Sequence, residues 1–109
     1  MTTRPIRQDE SDLVRHLLEL SNDKMQTRII PSVVVDLQDG GMGSIKFDIS
    51  EERVFGKELI RAKYVDQDNI DVLISLYLDN HNDLFELDFW KVDFGKLIKY
   101  PRPGQFKVE

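Results

Sequence analysis

Cysteine is absent from the 109-residue chain. That excludes disulfides, thiolate nucleophiles and thiolate metal sites. No apolar run approaches the roughly 20 residues of a bilayer-spanning helix. The opening Met1 to Glu10 lacks the apolar segment of a secretory signal. The expected compartment is therefore the cytoplasm, with no membrane contact. Basic residues are in deficit, 15 against 20 acidic ones, for a net charge of −5. A nucleic-acid partner calls for a basic face and is not expected; a basic protein partner or self-association is compatible with the balance. Histidine occurs only twice, as His16 and His81. His16 flanks the apolar stripe of a helix and His81 sits in a turn, and neither has the serine or spaced carboxylates of a triad or metal site. No catalytic, cofactor-binding or metal-ligating set is recognisable, so the expectation is a protein that is not an enzyme.

What remains is enough for one self-sufficient core. A chain of 109 residues fits a single domain spanning 1–109 and should bury roughly two-thirds of its unfolded surface. Charged residues are abundant at 32% but mixed in sign, which reads as a solvated surface rather than disorder.

The stretch Leu84–Phe94 organises the chain, since it holds the single tryptophan and three of the six phenylalanines. Phe85, Leu87 and Phe89 alternate with Glu86 and Asp88, the period-two signature of a strand with one face buried. After Phe89 the parity flips, and Trp90, Val92 and Phe94 become the apolar set. A regular strand cannot keep both sets on one face, so a β-bulge near Phe89–Trp90 is expected.

Elsewhere, Gln8–Ser21 reads as an amphipathic helix, with Leu13, Val14, Leu17, Leu18 and Leu20 on one side and acids in its first turns. Arg7 is a poor cap, and Asp9 or Ser11 compete for that role; Asn22 is a plausible left-handed stop. Val33–Leu37 and Ser44–Ile49 read as strands joined by the turn Asp39-Gly40-Gly41-Met42-Gly43. A strand rather than a helix follows those glycines, so a phosphate loop is not indicated. Lys57–Val65 turns Ile60, Ala62 and Tyr64 to one face and Arg61 and Lys63 to the other. In the next strand Ile70, Val72, Ile74, Leu76 and Leu78 alternate without a fault. Lys96–Tyr100 could add a short edge segment before Pro101-Arg102-Pro103-Gly104, and 101–109 is expected to be a flexible tail. The predicted fold class is α+β: an N-terminal amphipathic helix packed on a curved antiparallel meander sheet of about five strands.

The candidate site is a partner surface made of Leu73, Tyr77, Glu86, Asp88, Trp90 and Asp93. Leu73 and Tyr77 fall on the polar face of the central strand, where an emergent aromatic would join them as an exposed patch. For Trp90 and Phe94, filling the core is the first expectation and being re-aimed toward a partner the second. Glu86, Asp88 and Asp93, with His81, could instead line a small-molecule or divalent-metal site. Cross-strand balance against Arg61 and Lys63, with Ser75 and Tyr77 between, explains the acids without a ligand.

The segments Asp39-Gly-Gly-Met-Gly-Ser-Ile-Lys-Phe47, Phe55-Gly-Lys-Glu58 and Leu84–Phe94, with the opening Arg4-Pro-Ile and its leucine-rich helix, resemble a family of small bacterial proteins of unknown function. That likeness spans nearly the whole chain and implies no catalytic residues. The short motif Glu86-Leu-Asp-Phe-Trp-Lys91 is also similar to one in some acidic immunity proteins of bacterial toxin systems, which implies a role in protein binding.

Overall fold

Alternating apolar residues along β4 (Phe55–Val65) and β5 (Asp71–Asp79) set the centre of the fold. The computed structural model describes residues 2–21, 28–47 and 52–109. Ala62 faces Ile74, Tyr64 faces Val72, and Ile60 faces Leu76, so one face of the hairpin is a continuous apolar surface. β6 (Leu84–Lys91) extends it with Leu87 beside Leu76 and Phe89 beside Ile74. The outer edge of β6 then takes β3 (Ile45–Phe47), β2 (Val33–Asp36) and β1 (Thr3–Pro5), while the free edge of β4 takes β7 (Phe106–Val108). The result is a seven-stranded, wholly antiparallel sheet in the order β1-β2-β3-β6-β5-β4-β7.

This is α+β as expected, but it is larger than five strands and is not a simple meander. β3 pairs with β6 rather than with the next strand in the chain, because Ile45 there completes the apolar row of Leu87. The two additional strands are three residues each, too short to carry a period-two signal. β7 lies in the segment expected to be a tail, yet Phe106 is buried in the core. No strand forms at Lys96–Tyr100. The expected stop at Asn22 and the end of the second strand at Asp48–Ile49 lie outside the described residues.

α1 (Gln8–Leu20) packs Leu13, Val14, Leu17 and Leu18 against the inner face of the sheet. Burial on that scale is worth about 1.5–3 kcal/mol per side chain. Leu20, expected on the same stripe, is 39% exposed. The start of the helix is resolved without a hydroxyl cap. Glu10 is buried, accepts a hydrogen bond from the Arg7 N–H at 2.9 Å, and receives both Nη atoms of Arg4 at 2.9 and 2.7 Å. Arg4 in turn reaches Asp36 on β2, so one guanidinium ties β1, β2 and the helix together.

β4 has register shifts at Gly56 and Leu59. A Cβ at Gly56 would lie 2.1 Å from the Asp79 carbonyl oxygen, so only glycine permits that approach. These irregularities blunt the part of the β4 edge that β7 leaves uncovered.

Candidate functional site

β6 pairs with β5 in regular register from Glu86 to Lys91, and its bulge falls at Phe85 instead of at Phe89–Trp90. Strict alternation therefore holds through the expected break. Phe89 points inward, Trp90 points outward with 44% exposure, and Lys91 points inward with 1%. The expectation that Trp90 fills the core is overturned, as is that for Phe94, which is 71% exposed. The parity argument failed because it treated lysine as an outward residue.

Lys91 is stable inside because the fold brings it acids. Its Nζ lies 2.9 Å from Asp66 and 2.6 Å from Asp68, and donates to the Lys96 carbonyl at 3.0 Å. Asp66 is itself buried and accepts the backbone N–H groups of Gln67, Ile98 and Lys99. Burial would push the Asp66 carboxyl up, but the Ile98 N–H, Lys91, and the Gln67 and Lys99 N–H groups outweigh it and hold it below the usual carboxylate range. Burial likewise works against the Lys91 ammonium, yet its hydrogen bonds to Asp68 and Asp66 hold it above the ordinary lysine value. A parallel arrangement stands at the other end of β5. Asp79 accepts from Arg53 at 2.6 Å and from the His81 and Asp83 N–H groups, and Arg53 also reaches the Phe47 and Leu84 carbonyls. Both aspartates open turns whose fourth residue, Asn69 or Asn82, has positive φ. The Asp and Asn content of Asp66-Gln67-Asp68-Asn69 and Asp79-Asn80-His81-Asn82-Asp83 marks both segments as turns; it does not mark their first carboxylates as buried.

The outer face carries the residues singled out as a partner surface. Across β4, β5 and β6 they form three rows: Glu58, Tyr77, Glu86; Arg61, Ser75, Asp88; and Lys63, Leu73, Trp90. Lys46 of β3 extends the first row. The expected arrangement of Arg61 and Lys63 opposite the acids, with Ser75 and Tyr77 between, is thus present in register. The expected charge balance acts through space rather than by contact: Arg61 favours the ionised Asp88, and Lys46 the ionised Glu86. Arg61 pairs with Glu58 at 3.0 Å and Lys63 with Asp71 at 3.3 Å, while the Lys46 ammonium sits 5.0 Å from the Phe85 ring centroid. Among the described residues Glu86 and Asp88 form no salt bridge, and Asp88 has only a long hydrogen bond from the Ser44 hydroxyl at 3.4 Å. Burial, and then the neighbouring Asp88, raise the Glu86 carboxyl; burial also raises Asp88, with Ser44 opposing. Aromatics stand at both ends of this face. Phe55 meets Tyr77 edge-on with centroids 5.1 Å apart, and Phe94 lies 6.4 Å from Trp90.

Asp93 is not part of the face. It lies in the turn after β6, where it accepts the Gly95 N–H at 2.8 Å. His16 packs edge-on against Phe106, and His81 is exposed in its turn. Among the described residues no group of three or more His, Cys, Asp or Glu is placed to hold a metal ion, and no helix is long and apolar enough to cross a membrane.

These features define a small α+β protein whose single described helix covers one face of an open antiparallel sheet and leaves an aromatic and acidic face without a described covering element. A family model matches residues 3–101, and the chain belongs to that family, the domain of unknown function DUF6984. No curated protein and no solved structure matches it.

Proposed function

We propose that the protein is a non-enzymatic bacterial interaction module, acting in the cytoplasm, that holds a basic protein partner against the outer face of its sheet in the manner of a toxin-immunity protein. One observation carries this reading: among the described residues Glu86 and Asp88 form no ion pair, in the middle of an aromatic surface whose own cations make their close contacts elsewhere. Half-buried carboxylates without a counter-charge in contact bear a desolvation cost that an incoming cation relieves. Exposed Trp90 and half-buried Leu73 and Tyr77 supply the apolar area that rim charges alone lack. The net charge of −5 steers a basic partner toward the protein, and the short likeness of Glu86–Lys91 to immunity proteins points the same way. The reading as a small-molecule or divalent-metal site draws less support, since Asp93 stands apart from Glu86 and Asp88 and no third ligand joins them among the described residues.

The test places a photoreactive phenylalanine analogue at position 90, and separately at Arg15 on the exposed side of α1, in cells of the native host. Position 90 is expected to give one dominant protein adduct that Arg15 does not give. The paired substitution Glu86→Gln, Asp88→Asn should deplete that adduct. Equal labelling from both positions, or an adduct indifferent to the two acids, ends the reading.

A further inference from the structure

On the strength of that interaction reading, we infer that the outer face receives an α-helix of the partner, one that presents an apolar residue, a lysine or arginine, and a second apolar residue at positions i, i+4 and i+8. The spacing follows from the rows of the sheet. Glu86, Asp88 and Trp90 are alternate residues of one strand, so the Tyr77–Glu86 row and the Leu73–Trp90 row lie about 13 Å apart with Asp88 midway. Side chains four residues apart on a helix rise about 6 Å, so an i to i+8 span of about 12 Å matches the distance between the two aromatic ends. The central cation then falls at Asp88, with Glu86 within reach of its side chain, while its apolar neighbours meet Tyr77 with Phe55 at one end and Trp90, Leu73 and Phe94 at the other.

A strand has comparable spacing but does not suit this surface. β5 and β6 lie inside the sheet, with β4 and β3 as their outer neighbours, so the face offers side chains rather than a backbone edge. An extended segment lying on it would leave its own N–H and C=O groups without partners, whereas a helix satisfies its own. A second copy of this chain also fits poorly. Its described helix has its apolar residues buried beneath its own sheet, and the first turn of that helix is acidic. The cations of a second sheet face, Lys46, Arg61 and Lys63, are engaged within their own chain.

Trp90 is the chain's sole tryptophan and lies within the surface, so its emission reports occupancy directly. The probe is a hydrocarbon-stapled helical peptide with Leu, Arg and Leu at i, i+4 and i+8, no aromatic residue, and otherwise Ala, Gln and Lys. Titration is expected to shift Trp90 emission to the blue, with binding weakened at least tenfold by Glu86→Gln with Asp88→Asn and by exchange of the central Arg for Glu. Raising the salt should weaken it further. Three results overturn the inference: no spectral response to the cationic helix, equal binding of the Glu-substituted peptide, or a blue shift that appears on concentrating the protein alone, which would assign the face to a second copy. If the peptide fails while the photoreactive residue at position 90 still traps an acid-dependent protein adduct, the helix inference falls and the interaction reading survives. If both fail, both fall.

Discussion

On the inner side of β6 the Lys91 ammonium has carboxylates at 2.9 and 2.6 Å; on the outer side of the same strand Glu86 and Asp88 feel Lys46 and Arg61 only at a distance and form no ion pair among the described residues. Lys91 and Asp66 are withdrawn from water almost completely, with Asp68 at the open rim, whereas Glu86 and Asp88 are half-buried. The inner set is matched group for group, as complete burial of a charge demands. The outer set is tolerated because partial solvation keeps the cost small. The lesson is one of location: a fold must compensate the charges it seals in, whereas a charge left at a half-open surface can wait for something outside the chain.

The largest expected effect comes from breaking the inner arrangement. Asp66→Ala and Lys91→Met should each lower the melting temperature by on the order of 10 °C or more, because each strands a buried charge. Combining them should cost little beyond the worse single change. Thermal melts of the three variants check this, and strict additivity would show that the two groups are not coupled. Next in size is a contrast between aromatics. Phe106→Ala should cost about 3 kcal/mol by denaturant titration, as buried phenylalanines do. Phe94→Ala should stay within about 0.5 kcal/mol, as expected of an exposed residue.

Acid should sharpen the difference further. The folded carboxyls of Asp66 and Asp79 sit below their ordinary value of 3.8, so the stability they contribute is present above that value and is lost as pH falls through their depressed folded values. Stability measured from about pH 5 downward should therefore decline, and more steeply in the parent than in Asp66→Asn. Glu86 and Asp88 have the opposite sign. Their folded values are raised, so they weaken the fold once ionised and cease to do so on protonation. The smallest effect follows: Glu86→Gln should raise the melting temperature slightly at pH 7, and that gain should vanish once acid protonates the parent's Glu86.

The sheet's centre could be read from the residues because β4 and β5 are long and their apolar positions keep step, from Ile60 to Tyr64 and from Val72 to Leu78. Arg61, Ser75 and Asp88 could be placed on one face for the same reason, although not in one row. β1 and β7 could not be read, since three residues such as Thr3–Pro5 or Phe106–Val108 gain their strand character from a neighbour rather than from pattern. Lys91 was misread for a different reason: a residue's polarity predicts its face only when no counter-charge waits inside, and Asp66 and Asp68 come from a turn more than twenty residues earlier. That single misreading displaced the bulge and sent Trp90 inward on paper. It also concealed how open the outer face of the sheet is.

The Asp66 carboxylate gathers donors from three separate stretches of chain: its own turn, the end of β6, and the Ile98–Lys99 backbone. During synthesis, therefore, Lys91 emerges before the peptide that completes its surroundings. The hairpins of β4, β5 and β6 can form from local contacts, but closure of this corner awaits Ile98 and Lys99, which follow β6 in the chain. A ribosome stalled before Ile98 would hold an unfinished sheet, whose buried lysine and aspartates would still lack their last ties.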